Sequence, residues 1–298
     1  VIVSALISIV LVYIFSLRIT KPLKQISNAA KVIAGGEFSR RLSIDTEDEI
    51  GELAKAFNQM VAALQNLEEM RRGFIANVSH ELRTPMTSIS GFIEGILDGT
   101  IPPEKQKDYL EIVKEEVMRL NRLVNELLDL ARMEAGEIHI VTKDFNINEL
   151  IRRCIIKLES LIMEKNLEIV ANFEEEDVFV RADIDAIERV ILNLIHNAVK
   201  FTPEEGIICL STSIQKDNVL ISVADNGIGM EKEELDMIWD RFYKSDKSRS
   251  RDKLGTGLGL AIVKNLINEH GQDVWAESEA GRGTTFYFTL KRADRDKN

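Results

Sequence analysis

The chain opens on "VIVSALISIVLVYIFSL", 17 residues without a charge, followed at once by Arg18, Lys21 and Lys24. A run of that length reaches the lower limit for a helix that crosses a bilayer, and basic residues just beyond it mark the cytoplasmic side. Residues 1–17 are therefore expected to be a membrane helix. Everything from about residue 18 is expected in the cytoplasm, which locates the chain at the cell (inner or plasma) membrane. A secretory signal would show an initiator Met, a basic leader and a small-residue cleavage site, none of which is present. A buried core helix is the alternative. Because the chain begins inside an apolar run, a longer protein with an upstream part is expected.

The 298 residues leave room for two or three domains, and 45% apolar content is ordinary for folded protein. The net charge of −11 argues against a nucleic-acid partner. Cys154 and Cys209 cannot build a disulfide framework and lack metal-ligand spacing, so they read as core thiols in a reducing compartment.

Two helical stripes follow the apolar run: Ile19, Leu23, Ile26, Ala30 and Ile33, then Ile50, Leu53, Phe57, Met60, Leu64 and Leu67, separated by Gly35-Gly36. Alternating steps of three and four describe helices packed in a parallel bundle, and one chain supplies only two short helices, so a dimer is expected. The pattern slips to steps of four at Phe74, Val78 and Leu82, a stutter that unwinds a coiled coil locally. Phe74, Val78, Leu82, Pro85, Ile89 and Phe92 share one face of a long helix, and His80 falls nearly opposite. That helix is expected to end near "LDGTIPPEK". A second one from about Glu104 carries Leu110, Val113, Val117, Leu120, Val124, Leu127 and Ala131 and ends at Gly136. Two helices of this length leave apolar surface uncovered, and a dimeric four-helix bundle is the expected remedy.

From about residue 145 the texture becomes mixed. Helical patterns cover roughly 147–165, 184–200 and 258–270, among strand-like runs such as "VLISVAD" and "TTFYFTL". This describes an α+β domain with a mixed sheet.

Four groups in that domain carry chemistry. Asn193, Asn197 and Lys200 share one helix face, beside the apolar stripe Ile187, Ile191, Leu194 and Ala198. Carboxamide oxygens can ligate Mg²⁺ and an ammonium can meet phosphate, although a solvated polar face fits equally well. "DNGIGM" (225–230) is a tight turn whose glycines admit a ligand close to the backbone, as any hairpin might. "GTGLGLAIVKNL" (255–266) runs three alternate glycines into a helix start, an anion site that is neither a Walker loop nor a dinucleotide fingerprint. The preceding "FYKSDKSRSRDKL", with five basic residues, reads as a lid over phosphates or as a plain surface loop. "GRGTTF" (281–286), a turn into the last strand, is the weakest of the four.

In order and spacing, these groups and the Phe242 region resemble the N, G1, F, G2 and G3 boxes of the histidine-kinase ATP-binding domain. "SHELRTPMTSI" (79–89) resembles the H box of the same enzymes, and "DEIGELAKAFNQM" (48–60) with Pro22 resembles a HAMP signal-relay module. The chain from residue 18 is similar to a bacterial two-component sensor histidine kinase. The resemblance implies a multi-domain protein. An all-α HAMP coiled coil (18–70) and a dimeric four-helix bundle for phosphotransfer (71–137) precede an α+β two-layer sandwich of the Bergerat, or GHKL, ATP-binding fold (138–298).

The resemblance also implies roles. His80 would be the phosphoacceptor, Glu81 the base or the group that orients the ring, and Arg83 an electrostatic contributor. Thr84 would position water when the partner is dephosphorylated. Attack on a γ-phosphate needs a neutral ring nitrogen, which an imidazole offers near pH 7. Pro85 removes the hydrogen bond to the Glu81 carbonyl and should bend the helix. Asn197 would hold Mg²⁺, with Asn193, Lys200 and Lys244 near the ATP phosphates. Phe201 would pack by the adenine and Asp225 would read its exocyclic amine. Gly227, Gly229, Gly255, Thr256, Gly257, Leu258, Gly259 and Thr284 would shape the pocket. Gln272, where a second glycine is common, departs from the pattern at a turn. The implied partners are a second copy of the chain, a response-regulator receiver domain and the membrane. A gyrase- or mismatch-repair-type ATPase is disfavoured by the histidine box. A transducer that merely binds nucleotide is disfavoured by intact His80, Glu81, Asn197 and Asp225.

Overall fold

A computed structural model describes residues 1–44, 46–137, 140–244 and 256–293. They form two compact units, divided between His80 and Glu81.

In the first unit, α1 (Ile2–Phe15), a π-helical turn (Ser16–Thr20) and α2 (Lys21–Ala34) run on as one helix, and no residue of α1 is buried. The wide turn has a local cause. Pro22 has no N–H and its ring crowds the carbonyl four residues back, so the ladder opens and Lys21 N–H donates to the Ser16 carbonyl. The stretch is long and apolar enough to cross a membrane. Gly36, at φ +89°, ends α2, with its N–H donating to the Ile33 carbonyl and that of Glu37 to Val32. The connector is pinned to α3 (Glu49–Leu97) by Asn58, whose side chain both donates to and accepts from the Leu42 backbone. Asp48 caps α3 by accepting from the Ile50 and Gly51 N–H groups.

Between α2 and α3, the packed residues are Ala29, Ile33, Phe57 and Val61, flanked by Ile26, Phe38, Leu42 and Leu64. This divides the expected stripes. Ala29 replaces Ala30, and Ala54 and Val61 join the interior, while Leu23, Leu53, Met60 and Leu67 stay exposed. A heptad list counts every residue facing some neighbour; one chain offers one neighbour, so only one side of the seam is covered.

In the second unit, α3 beyond His80 and α4 (Pro103–Glu134) form a hairpin. Phe92 meets Tyr109 with ring centroids 5.1 Å apart, and Pro85, Leu123 and Leu130 are buried. Gly136, at φ +66°, ends the second helix as expected. Leu110, Val117 and Val124 on α4, with Met86 and Ile93 on α3, remain exposed at seven-residue spacing.

The remaining chain folds as a helical layer on a sheet. The sheet comprises β2 (Glu168–Phe173), β4 (Ile207–Gln215), β5 (Asn218–Asp225), β6 (Val274–Glu279) and β7 (Gly283–Lys291), in the order β2-β4-β5-β7-β6. The β2–β4 pair is parallel and the other pairs are antiparallel. A two-stranded ribbon joins β1 (Lys143–Asn146) to β3 (Phe179–Ala182). The β1 sequence, "KDFN", carries no strand-like pattern and was not expected as a strand. The expected helix over 147–165 breaks at Leu158 into α5 (Ile147–Lys157) and α6 (Glu159–Glu164). With α7 (Ile184–Phe201) and α8 (Gly259–Glu269), the helices bury Ile187, Ile191, Leu194, Ile262 and Leu266 against Ile208, Ile221, Val223 and Phe288. The opposite sheet face carries the stacked pair Trp275–Tyr287 and the hydrogen-bonded pair Ser211–Ser222.

Candidate nucleotide site

The site is built on α7, whose two ends are fixed by side chains. Asp183 accepts from the Asp185 and Ala186 N–H groups at the N-terminus. At the C-terminus Lys165 Nζ donates to the carbonyls of Val199, Lys200 and Thr202, at 2.7, 3.0 and 3.0 Å. With the apolar stripe buried, Asn193, Asn197 and Lys200 face a cavity of about 320 Å³, and Lys200 Nζ sits 4.7 Å from the centre of the Phe201 ring.

Opposite them, Asp225 ends β5 in register with Thr284 on β7. Its Oδ1 accepts from Gly227 N–H at 2.9 Å and from Thr284 N–H at 3.3 Å. Burial nevertheless pushes the carboxyl up to about 6, against the pull of those two donors. Close approach accounts for the glycines of this turn. A Cβ on Gly227 would lie 2.5 Å from the Phe201 carbonyl oxygen, and one on Gly229, at φ +61°, would lie 2.0 Å from that of Glu279. The "GRGTTF" turn, weak as a motif, is its buttress. Gly281 N–H donates to the Ile228 carbonyl, and Ser278 Oγ accepts from Met230 N–H and pairs with Thr284 Oγ1.

The third wall joins Phe242 to Gly257. Phe242, at φ +62°, donates its N–H to the Gly257 carbonyl, and a Cβ on Gly257 would sit 2.7 Å from Phe242 Cα. Gly259 opens α8 with room for the Asn193 amide, 3.2 Å from where a Cβ would be.

Of the residues expected to bind nucleotide, Asn193, Asn197, Lys200, Phe201, Asp225 and Gly229 line the cavity, as do Lys244, Thr256, Gly257, Gly259 and Thr284. Gly227 and Leu258 do not; Leu258 is fully buried in the core instead. Gly255 and most of the expected lid lie outside the described residues. On α3, His80, Arg83 and Thr84 are exposed, on a helix whose other face buries Pro85.

Sequence reasoning missed a wall supplied by α4. Arg122 and Glu126 line the same cavity, four residues apart on one face. Glu126 accepts the Thr256 hydroxyl, and burial raises its carboxyl despite that bond and the nearby Arg122 and Arg189. Only the i, i+4 spacing of an Arg and a Glu signalled them, and most such pairs are solvated. Glu81 belongs to this junction too, 2.8 Å from Lys244 Nζ and 3.2 Å from Arg119 Nη2.

The cavity suits an adenine nucleotide: a half-buried carboxyl at one end, an aromatic ring, and backbone laid bare by glycines. No cluster of three or more His, Cys, Asp or Glu side chains suited to a metal occurs among the described residues. Asn197, on the cavity wall, offers a carboxamide oxygen of the kind a largely hydrated Mg²⁺ accepts.

Family models match three successive stretches: the HAMP domain (residues 14–66), the His Kinase A phospho-acceptor domain (70–136) and the histidine kinase-, DNA gyrase B- and HSP90-like ATPase (182–294). The chain belongs to the two-component sensor histidine kinases. The chain is 35% identical to the sensor histidine kinase YclK of Bacillus subtilis over 298 residues, covering 97% of the chain and 63% of YclK. It is 39% identical to WalK of the same organism over 244 residues, 77% of the chain and 38% of WalK. The sensor protein SrrB of Staphylococcus aureus is 40% identical over 230 residues, 77% of the chain and 39% of SrrB. The chain thus spans less than two thirds of each of these relatives. Among solved structures, histidine kinase ThkA in complex with the response regulator protein TrrA has a TM-score of 0.64 at 28% identity, covering 84% of this chain and 70% of that chain. Full-length ShkA in complex with AMPPNP has a TM-score of 0.57 at 29% identity, covering 74% and 46%.

Proposed function

We propose that this kinase uses ATP to phosphorylate His80 and then passes the phosphoryl group to an aspartate of a response regulator. The observation that carries the reading is the half-buried Asp225 carboxyl, held by Gly227 and Thr284 N–H groups at the end of a glycine-walled cavity that Asn197 and Lys200 also face. Asp225 accepts the adenine amine and Phe201 covers the ring. Lys200 and Lys244 meet phosphate oxygens, and Asn197 holds Mg²⁺, which when bound offsets phosphate charge. A neutral ring nitrogen of His80 forms the new P–N bond. The bond from the γ-phosphorus to the β,γ-bridging oxygen breaks, ADP leaves with that electron pair, and Glu81 takes the ring's proton. Arg83 contributes positive charge, and Thr84 orients water for dephosphorylation of the regulator.

The same reading gives the domains as a membrane helix (1–17), a signal-relay module (18–70), a dimerising phosphotransfer hairpin (71–137) and a catalytic domain (138–298). The exposed heptad residues Leu53, Met60 and Leu67, with Leu110, Val117 and Val124, support a homodimer. The unburied apolar helix supports anchorage in the cell membrane with the remainder cytoplasmic. ThkA's solved complex with TrrA supports a regulator as partner.

The test is incubation with γ-labelled ATP and Mg²⁺, followed by transfer to phosphorylatable regulators. Acid-labile, alkali-stable label is expected on the unaltered chain and absent from His80→Gln and Asn197→Asp. Thr84→Ala is expected to keep the label and slow the regulator's dephosphorylation. Label persisting in His80→Gln would sink the assignment.

A further inference from the structure

Four charged side chains form a chain beside the start of the helical hairpin. Glu116 Oε2 lies 3.6 Å from Arg119 Nη1, Arg119 Nη2 lies 3.2 Å from Glu81 Oε2, and Glu81 Oε1 lies 2.8 Å from Lys244 Nζ. The Arg119, Lys244 and Glu81 side chains are only 12%, 15% and 19% exposed, so these contacts are screened far less than surface ion pairs.

The two cations on Glu81 differ in kind. Lys244 belongs to the catalytic domain and lines the nucleotide cavity, where phosphate oxygens compete for its ammonium. Arg119 lies on α4, in the same hairpin as Glu81, so this contact is made within the hairpin and does not involve the nucleotide cavity. Its planar guanidinium can engage one carboxylate with each terminal nitrogen, which a lysine ammonium cannot match in geometry. Glu116 fits this arrangement. Its Oε2 is buried and makes no hydrogen bond among the described residues, a position that costs desolvation and is compensated by the Arg119 charge.

We infer that Arg119, held by Glu116, is a positioning residue for Glu81: it fixes the direction in which that carboxylate receives the proton of His80. This rests on the kinase reading above, in which Glu81 accepts that proton. Lys244 takes the second Glu81 oxygen until nucleotide phosphates draw it away; Arg119 does not exchange.

The experiment measures the rate of His80 labelling against ATP concentration in the full chain, with Arg119→Gln made in the native background and in Glu81→Gln. The expected result is about a tenfold lower rate at saturating ATP, with KM for ATP within about twofold. In the Glu81→Gln background the same change should alter the rate less than about twofold, because the two act as a unit. Arg119→Lys is expected to recover part of the loss, and Glu116→Gln to produce a smaller loss of the same kind. If Arg119→Gln does not fold, Arg119→Lys and Glu116→Gln in both backgrounds supply the same comparison. A loss that repeats in full in Glu81→Gln, or that falls wholly on KM, overturns the inference while leaving the kinase reading intact. An unaltered chain that takes no label overturns the kinase reading itself.

Discussion

Arg189 on α7 meets Asp129 on α4 with Nη2 2.5 Å from Oδ2, tying the helix that carries Asn193 and Asn197 to the α3–α4 hairpin. Both side chains are 30% exposed, so the pair is a poor source of stability and a good candidate for a reversible clasp. Asp129→Ala and Arg189→Ala are each expected to change the melting temperature little and to change the rate of His80 labelling severalfold. The double variant Asp129→Arg/Arg189→Asp should return toward the original rate. Equal rates in all four proteins would show that the contact has no part in transfer.

Asp225 predicts a pH dependence of definite sign. Its carboxyl titrates near 6 in the folded chain against 3.8 for an ordinary aspartate, with burial as the cause. The folded chain therefore binds more protons between those values, and its stability falls as pH rises from about 4 to about 6, by about 3 kcal/mol at most. Asp225→Asn should remove that loss and leave the nucleotide-free chain more stable at pH 7. In the proposed function the Asp225 carboxylate accepts from the adenine amine, so affinity for a non-hydrolysable ATP analogue should rise as pH climbs through 6. Titration calorimetry at several pH values decides the matter, and an unchanged slope in Asp225→Asn would refute it.

The Gly229 site tests the backbone cradle. A methyl there would meet the Glu279 carbonyl oxygen at 2.0 Å in a left-handed conformation. Gly229→Ala should cost about 1–3 kcal/mol of stability and weaken nucleotide binding at least tenfold. Thermal melting and analogue titration measure both; native-like affinity would mean that the turn yields.

Lys165 tests the far end of α7. Its ammonium meets three carbonyls at the helix terminus, and charge-assisted hydrogen bonding by one such group contributes about 1.5–3 kcal/mol. Lys165→Met keeps the apolar stem and leaves those carbonyls short of a donor. A loss of about 2–3 kcal/mol in chemical denaturation is expected. Nucleotide affinity should fall with it, because Lys200 and Phe201 sit in the turn that is released. A variant as stable as the parent would show that water replaces the ammonium without cost.

Most of the catalytic domain was legible because its signals are local. Alternation marked the strands, Ile187, Ile191, Leu194 and Ala198 marked the buried side of α7, and paired glycines marked turns where the backbone must pass close to other backbone. β1 was not legible. Its four residues pair with β3, from Lys143 opposite Ala182 to Asn146 opposite Phe179, and nothing in "KDFN" anticipates so distant a partner. The seams were half legible. Three-four spacing says that a residue faces some helix, but which helix depends on what lies beside it, hence Ala29 and Val61 inside and Leu53 and Met60 outside.

By itself, the sequence determined the apolar helix, the two long helices of the hairpin, the exposed His80, and the order of the glycine-rich and asparagine motifs. These follow from periodicity and from backbone demands set within a few residues. Only the tertiary structure decided that α4 walls the nucleotide cavity with Arg122 and Glu126, and that Glu81 lies between Arg119 and Lys244. Those groups are 38 and 163 residues from Glu81 along the chain, and an ion pair carries no signature at such separations until folding removes the water between its members.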